Sequence, residues 1–229
     1  MLVMGLSFIT GFALTYLLLK FGGDKVRLLR KPPWVQGVSI FEWVSEHKNL
    51  ESEIRNKALL PDEDRLKSKM SLAPGTLDSL NLRDGFEEDK IALGKFNQAL
   101  IKVLQSFKYR DRLQLYELLC VENLLIFLPH LIDQQEEFKK FKFLQNTANW
   151  LCYESSDRGA VKIGLVLQGL SPRPNIHRII TLGSHDETAY WAALALRLTN
   201  QDTERDLFEI IKIVEGWGRI QCIRLLSED

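Results

Sequence analysis

Residues 2–19 form an apolar run without a single charge, rich in leucine and phenylalanine. Eighteen residues at about 1.5 Å each make roughly 27 Å of helix, close to the hydrocarbon thickness of a bilayer. The pattern predicts a transmembrane anchor over residues 1–21, with Leu2, Phe8, Phe12, Leu17 and Leu19 as its lipid-facing side chains. Lys20 can extend it by snorkelling to the interface. Two alternatives compete. A cleaved signal peptide carries positive charge ahead of its apolar run, whereas here the charge follows. A buried core helix rarely runs eighteen residues without a charge.

Beyond the run, Pro32 and Pro33 stop the helix, and Trp34 is suited to a membrane interface or to a loop. Residues 22–38 read as a basic juxtamembrane segment. Ser39-Ile-Phe-Glu42 has the form of a capping box and predicts a juxtamembrane helix over residues 39–60. Residues 61–88 hold turn signals at Pro61, at Ala73-Pro-Gly75 and at Asp84-Gly85, with scattered leucines, and read as a linker. From residue 89 the hydrophobic spacing is helical to the end, with short gaps that make neighbouring helices antiparallel.

The last ninety residues repeat weakly. The segment from Asp157 through Ala160, Gly164 and Leu167 aligns with Asp186, Ala189, Ala193 and Leu196, and more loosely with the stretch from Gly216 to Leu226. The acidic residue is expected to cap an inner helix, and the small residues to admit a close neighbour. Each inner helix follows an outer one, near 141–153, 174–182 and 203–214. The Asp-x-x-Ala-Val start resembles the short HEAT-like helical repeats. Leu182-Gly-Ser-His-Asp-Glu-Thr-Ala-Tyr-Trp-Ala-Ala193 and Val214-Glu-Gly-Trp-Gly-Arg-Ile-Gln221 are similar to segments of uncharacterised bacterial membrane-anchored HEAT-repeat proteins. The resemblance implies an all-α protein: an N-terminal transmembrane helix followed by an α-solenoid of HEAT-like helix pairs over residues 89–229, clearest over 141–229. It also implies an interaction surface, with no catalytic residues to carry over. The third unit ends without an obvious polar cap, which solenoids need.

Charge sharpens the topology. The 30 basic and 30 acidic side chains cancel, which argues against a nucleic-acid binder. The cancellation hides a collar in which Lys20, Lys25, Arg27, Arg30 and Lys31 face one acid, Asp24. Positive charge stays cytoplasmic, so the expected location is the cell membrane, single-pass, with the N-terminus outside and the bulk of the chain in the cytoplasm. The collar is also placed against anionic headgroups. Cys120, Cys152 and Cys222 lie in apolar helical patterns and read as buried thiols.

The sharpest polar cluster is His185-Asp186-Glu187. An adjacent His-Asp pair is compatible with a metal-dependent HD-type phosphohydrolase, which needs further ligands converging from other helices. The simpler reading makes Asp186 a helix cap and His185 a turn residue. No P-loop, Gly-x-Ser-x-Gly or His-Glu-x-x-His occurs. The expectation is therefore a non-catalytic scaffold for protein–protein interaction, with no cofactor, metal or small-molecule substrate. Its partner contacts are placed at Arg158, Lys162, Tyr190, Arg197, Trp217 and Arg219. The alternatives are the phosphohydrolase and a structural subunit of a membrane complex whose missing cap another chain supplies.

Overall fold

A computed structural model describes residues 32–35, 37–63, 72–84, 89–120, 123–199 and 204–227. The capping box forms as written: Glu42 donates its N–H to the Ser39 hydroxyl at 3.1 Å, and the Glu42 carboxylate accepts the Ser39 N–H at 3.1 Å. This starts α1 (Ile40–His47). It is followed by α2 (Ser52–Lys57), α3 (Thr76–Asp84), α4 (Lys90–Ser106) and α5 (Tyr109–Leu119). A 3-10 turn (Leu124–Phe127) leads into the short α6 (Leu128–Asp133) and α7 (Gln135–Phe138). The C-terminal part holds α8 (Leu144–Tyr153), α9 (Arg158–Leu170), α10 (Ile176–Gly183), α11 (Asp186–Leu198), α12 (Glu204–Ile213) and α13 (Gly216–Ser227). Among the described residues the chain is all-α, with no strand.

The helices pair as α4 with α5, α8 with α9, α10 with α11 and α12 with α13. The second members make a row: α5 touches α9, α9 touches α11, and α11 touches α13. Burial explains the order. Nearly every residue of α9 is buried, as is most of α11, because each has a helix on more than one side. Gly164 lets α8 and α9 approach closely: a Cβ there would lie 2.8 Å from both the Cys152 nitrogen and Leu151 Cβ. From the other side, α1 wedges between α8 and α10.

The structure moves the repeat register by one. Asp157 caps α9 by accepting the N–H groups of Gly159 and Ala160. The equivalent cap of α11 is His185, whose Nδ1 accepts the Glu187 N–H at 3.2 Å. Asp186, expected to cap α11, reaches instead to the next pair and accepts the Glu215 N–H at 3.1 Å. An imidazole nitrogen can fill the capping position, and that releases the carboxylate to tie α11 to the start of α13.

Trp34 is not an interfacial residue. It is 2% exposed, within 6 Å of the ring centroids of Tyr109, Tyr116 and Trp150, with the Arg112 guanidinium 4.9 Å over its ring. Its carbonyl accepts the Ser156 N–H. Within the stretch expected as a linker, residues 76–84 form α3, and Asp62 and Ser79 are buried. No helix among the described residues is long and apolar enough to cross a membrane. The anchor positions Leu2, Phe8, Phe12, Leu17 and Leu19, and the collar from Lys20 to Lys31, lie outside the described residues.

Candidate functional site: charged ends of the inner row

The N-terminal ends of α9, α11 and α13 lie side by side, and the connector residues close over them. Lys162 occupies an otherwise apolar stretch of α9, and a buried ammonium needs acidic partners. It has two: its Nζ lies 2.7 Å from Asp78 Oδ2 and 2.7 Å from Glu187 Oε1. One turn earlier, Arg158 donates its backbone N–H to Asp62 Oδ2 at 2.8 Å and its Nε and Nη2 to the same carboxylate. Arg158 also pairs with Glu63, and its Nη1 lies 3.7 Å from Glu187. Glu187 is thus the hub between two cations, and its other oxygen accepts the Gly75 N–H at 2.8 Å. Burial pushes its carboxyl upward, but Lys162 and Arg158 outweigh that and hold it down to about 2. For Lys162 the same carboxylates outweigh burial and raise the ammonium.

From α3 the contacts cross the row. Trp191 of α11 donates its Nε1–H to Asp78 at 2.8 Å, and Gln221 of α13 donates to Ser79. Arg55 of α2 is buried and donates to three carbonyls, those of Lys48, Leu50 and Ile213. Burial lowers its pKa, opposed by Asp186 and Glu215. Arg55, Asp62, Asp78 and Ser79 therefore staple α9, α11 and α13 together.

A cleft of about 520 Å³ opens beside this network. Arg158, His185, Asp186 and Glu187 line its interior, and Trp217 with Leu59 and Leu72 its apolar side. Leu59 is 68% and Leu72 39% exposed, and Glu53 and Glu215 on the lining are exposed as well. The cleft thus presents apolar and acidic groups outward, while Arg158 on its lining is held inside by Asp62, Glu63 and Glu187.

The sequence-predicted partner residues divide accordingly. Arg158 and Lys162 are brought together but turned into internal ion pairs. Trp217 lines the cleft, half-buried. Arg219 donates to the carbonyls of Ile211 and Lys212 and so closes the preceding helix. Arg197 is exposed and bonds the Leu225 carbonyl from α11 to α13, and Tyr190 is half-buried against Trp191. These last two are not part of the cleft lining. Sequence reasoning missed Asp62, Asp78, Ser79 and Arg55. The signal for Asp78 was Lys162 itself, a cation on an apolar helix face that demanded acids from elsewhere.

His185 and Asp186 are committed to structure. The imidazole is 1% exposed, burial lowers its pKa to about 4, and its Nδ1 is occupied by the cap. Asp186 accepts from Glu215. Among the described residues no three His, Cys, Asp or Glu side chains converge as metal ligands. In comparisons with known proteins, the chain matches no family profile, no curated protein and no solved structure.

Proposed function

We propose that the protein is a membrane-tethered, HEAT-like helical scaffold that binds another protein, without catalysis. Residues 1–21 anchor it in the cell membrane in a single pass, N-terminus outside, and the stacked helix pairs form a solenoid in the cytoplasm. Confinement at the bilayer raises its effective concentration toward membrane partners. One observation carries the reading. The cleft at the ends of α11 and α13 exposes Leu59 and Leu72 beside Trp217, while its internal ionic groups are saturated by one another. A site with exposed leucines beside a tryptophan, whose charged groups are paired internally, suits protein contact better than bond chemistry.

The partner surface accordingly shifts from Arg158 and Lys162 to the rim, where the exposed Glu215 favours a basic, apolar segment. Photo-crosslinking groups placed singly at Leu59, Trp217 and Ile91 in native membranes test this, Ile91 being a 72% exposed control on α4. A discrete adduct from Leu59 and Trp217, absent from Ile91 and lost on Glu215→Lys, is expected. Equal labelling from all three positions refutes the rim.

A second reading, a structural subunit of a membrane complex, is favoured by the open end of the row. Ile220 and Ile223, three apart on one face of α13, are 41% and 48% exposed, and Phe208 of α12 is 45% exposed. A further helix pair or a neighbouring subunit would cover them. Mass measurement of the detergent-extracted protein separates this reading from a free monomer.

A further inference from the structure

The chain enters the fold at a defined point. Pro32 precedes the 3-10 turn Pro33–Val35, whose Trp34 is locked into the core. Beside that entry lies the start of α5. The Tyr109 ring sits 5.3 Å from that of Trp34, yet Tyr109 is 45% exposed, and Val35 is 39% exposed. Lys108 and Arg110 flank Tyr109 and are exposed. Lys108 is the N-cap of α5 and makes no side-chain cap, so the positive end of that helix lies with the two cations. Of the acids nearby, Asp111 accepts from Ser106 and Glu154 acts on Arg112. The entry face is thus an aromatic and an aliphatic side chain framed by cations, the composition that favours a headgroup interface.

The tether decides what can reach it. Residues 20–31 separate the apolar run from Pro32, and twelve residues span at most about 40 Å. That is comparable with the diameter of a globular chain of this size. The leash keeps the entry point within about 40 Å of the bilayer, in reach of its headgroups. The collar, +4 over those residues, continues the basic character of that face.

We propose that the face formed by Val35, Lys108, Tyr109 and Arg110 docks on the anionic headgroups of the membrane that holds the N-terminus. It acts as a second contact that orients the helical row. The inference rests on the anchor assignment under the proposed function. Docking leaves the cleft free, because none of these four residues lines it.

The test is hydrogen exchange on the full chain in nanodiscs of pure phosphatidylcholine and of phosphatidylcholine with phosphatidylserine, beside carbonate extraction of native membranes. Expected is slowed exchange over residues 34–38 and 108–112 with the anionic lipid, reversed by 0.5 M salt and absent with the neutral lipid. Each basic residue beside an anionic surface is worth about fivefold in binding. Lys108→Glu with Arg110→Glu should therefore shift the docked equilibrium by about 25-fold or more, with thermal stability unchanged. Protection equal on both lipids overturns headgroup recognition. A chain that resists carbonate yet shows no protection overturns the docked face and leaves the anchor standing. A chain released by carbonate overturns the anchor and the docking together.

Discussion

Arg158 donates its backbone N–H and its guanidinium to the carboxylate of Asp62, joining positions 96 apart in the chain. The pair is nearly shielded from water, with side-chain exposures of 15% and 1%. Buried ion pairs contribute less to stability than to placement, since desolvation offsets most of their attraction. Here the placement is that of a whole segment. Asp62 and Asp78 bracket it, and both meet cations of α9.

Removing one partner strands the other. Asp62→Ala should cost about 3 kcal/mol, because Arg158 stays buried with only Glu63 and Glu187 to balance it. Urea unfolding of the full chain in detergent reads this. In an Arg158→Met background the same substitution should cost clearly less. Equal costs in the two backgrounds would show that the pair is not coupled.

Lys162→Met leaves Asp78 and Glu187 facing one another without the ammonium that each approaches at 2.7 Å. Two carboxylates at one site resist joint ionisation, so one takes up a proton more readily. The variant should be least stable relative to the parent near pH 7, and the gap should narrow below about pH 5. A gap independent of pH would contradict the shared-cation geometry.

His185 sets a pH dependence of its own. Burial holds it at about 4 in the fold, against about 6.5 when unfolded. Its contribution to stability is complete above pH 6.5 and is lost as pH falls toward 4, on the order of 3 kcal/mol. Glu187, held at about 2, adds a second loss between pH 4.5 and 2. Asp157 and Asp186, both raised by burial, run the opposite way. His185→Asn keeps an N-cap acceptor and removes the titration. Its stability should change less than the parent's between pH 6.5 and 4, as measured by denaturant midpoints. Parallel profiles would remove His185 from the account.

Two glycines should respond in opposite directions. Gly94 lies inside α4 with open space around its missing Cβ, so Gly94→Ala should stabilise by about 0.5–1 kcal/mol. Gly164→Ala forces α8 and α9 apart and should cost about 1–3 kcal/mol. Thermal melts of the two variants against the parent decide it.

The outer helices and two of the caps were legible because they are local, whereas the one helix expected over 39–60 is broken into α1 and α2. The Ser39–Glu42 box and the Asp157 cap follow from residues three apart, and the outer helices fell within three residues of their expected starts. The one-residue register shift at His185 was hidden because an imidazole cap and an aspartate cap read alike when the two residues are adjacent. The staple was hidden for a different reason. Residues 61–88 carry turn signals and few apolar side chains, the marks of a connector, and α3 is held by ion pairs and hydrogen bonds to residues more than 80 positions away. No local pattern encodes Asp78 meeting Lys162 and Trp191. Trp34 misled in the same way, since a tryptophan after a basic apolar segment fits an interface as well as a core.

The measurement that tests the account most directly is native-state hydrogen exchange of α3 in the full chain. If residues 76–84 belong to the stapled inner row, their amides exchange slowly, and Lys162→Met speeds them together with the start of α9. If they exchange as fast as a free connector and ignore Lys162, the staple does not hold, and Arg158 and Lys162 return as surface open to a partner.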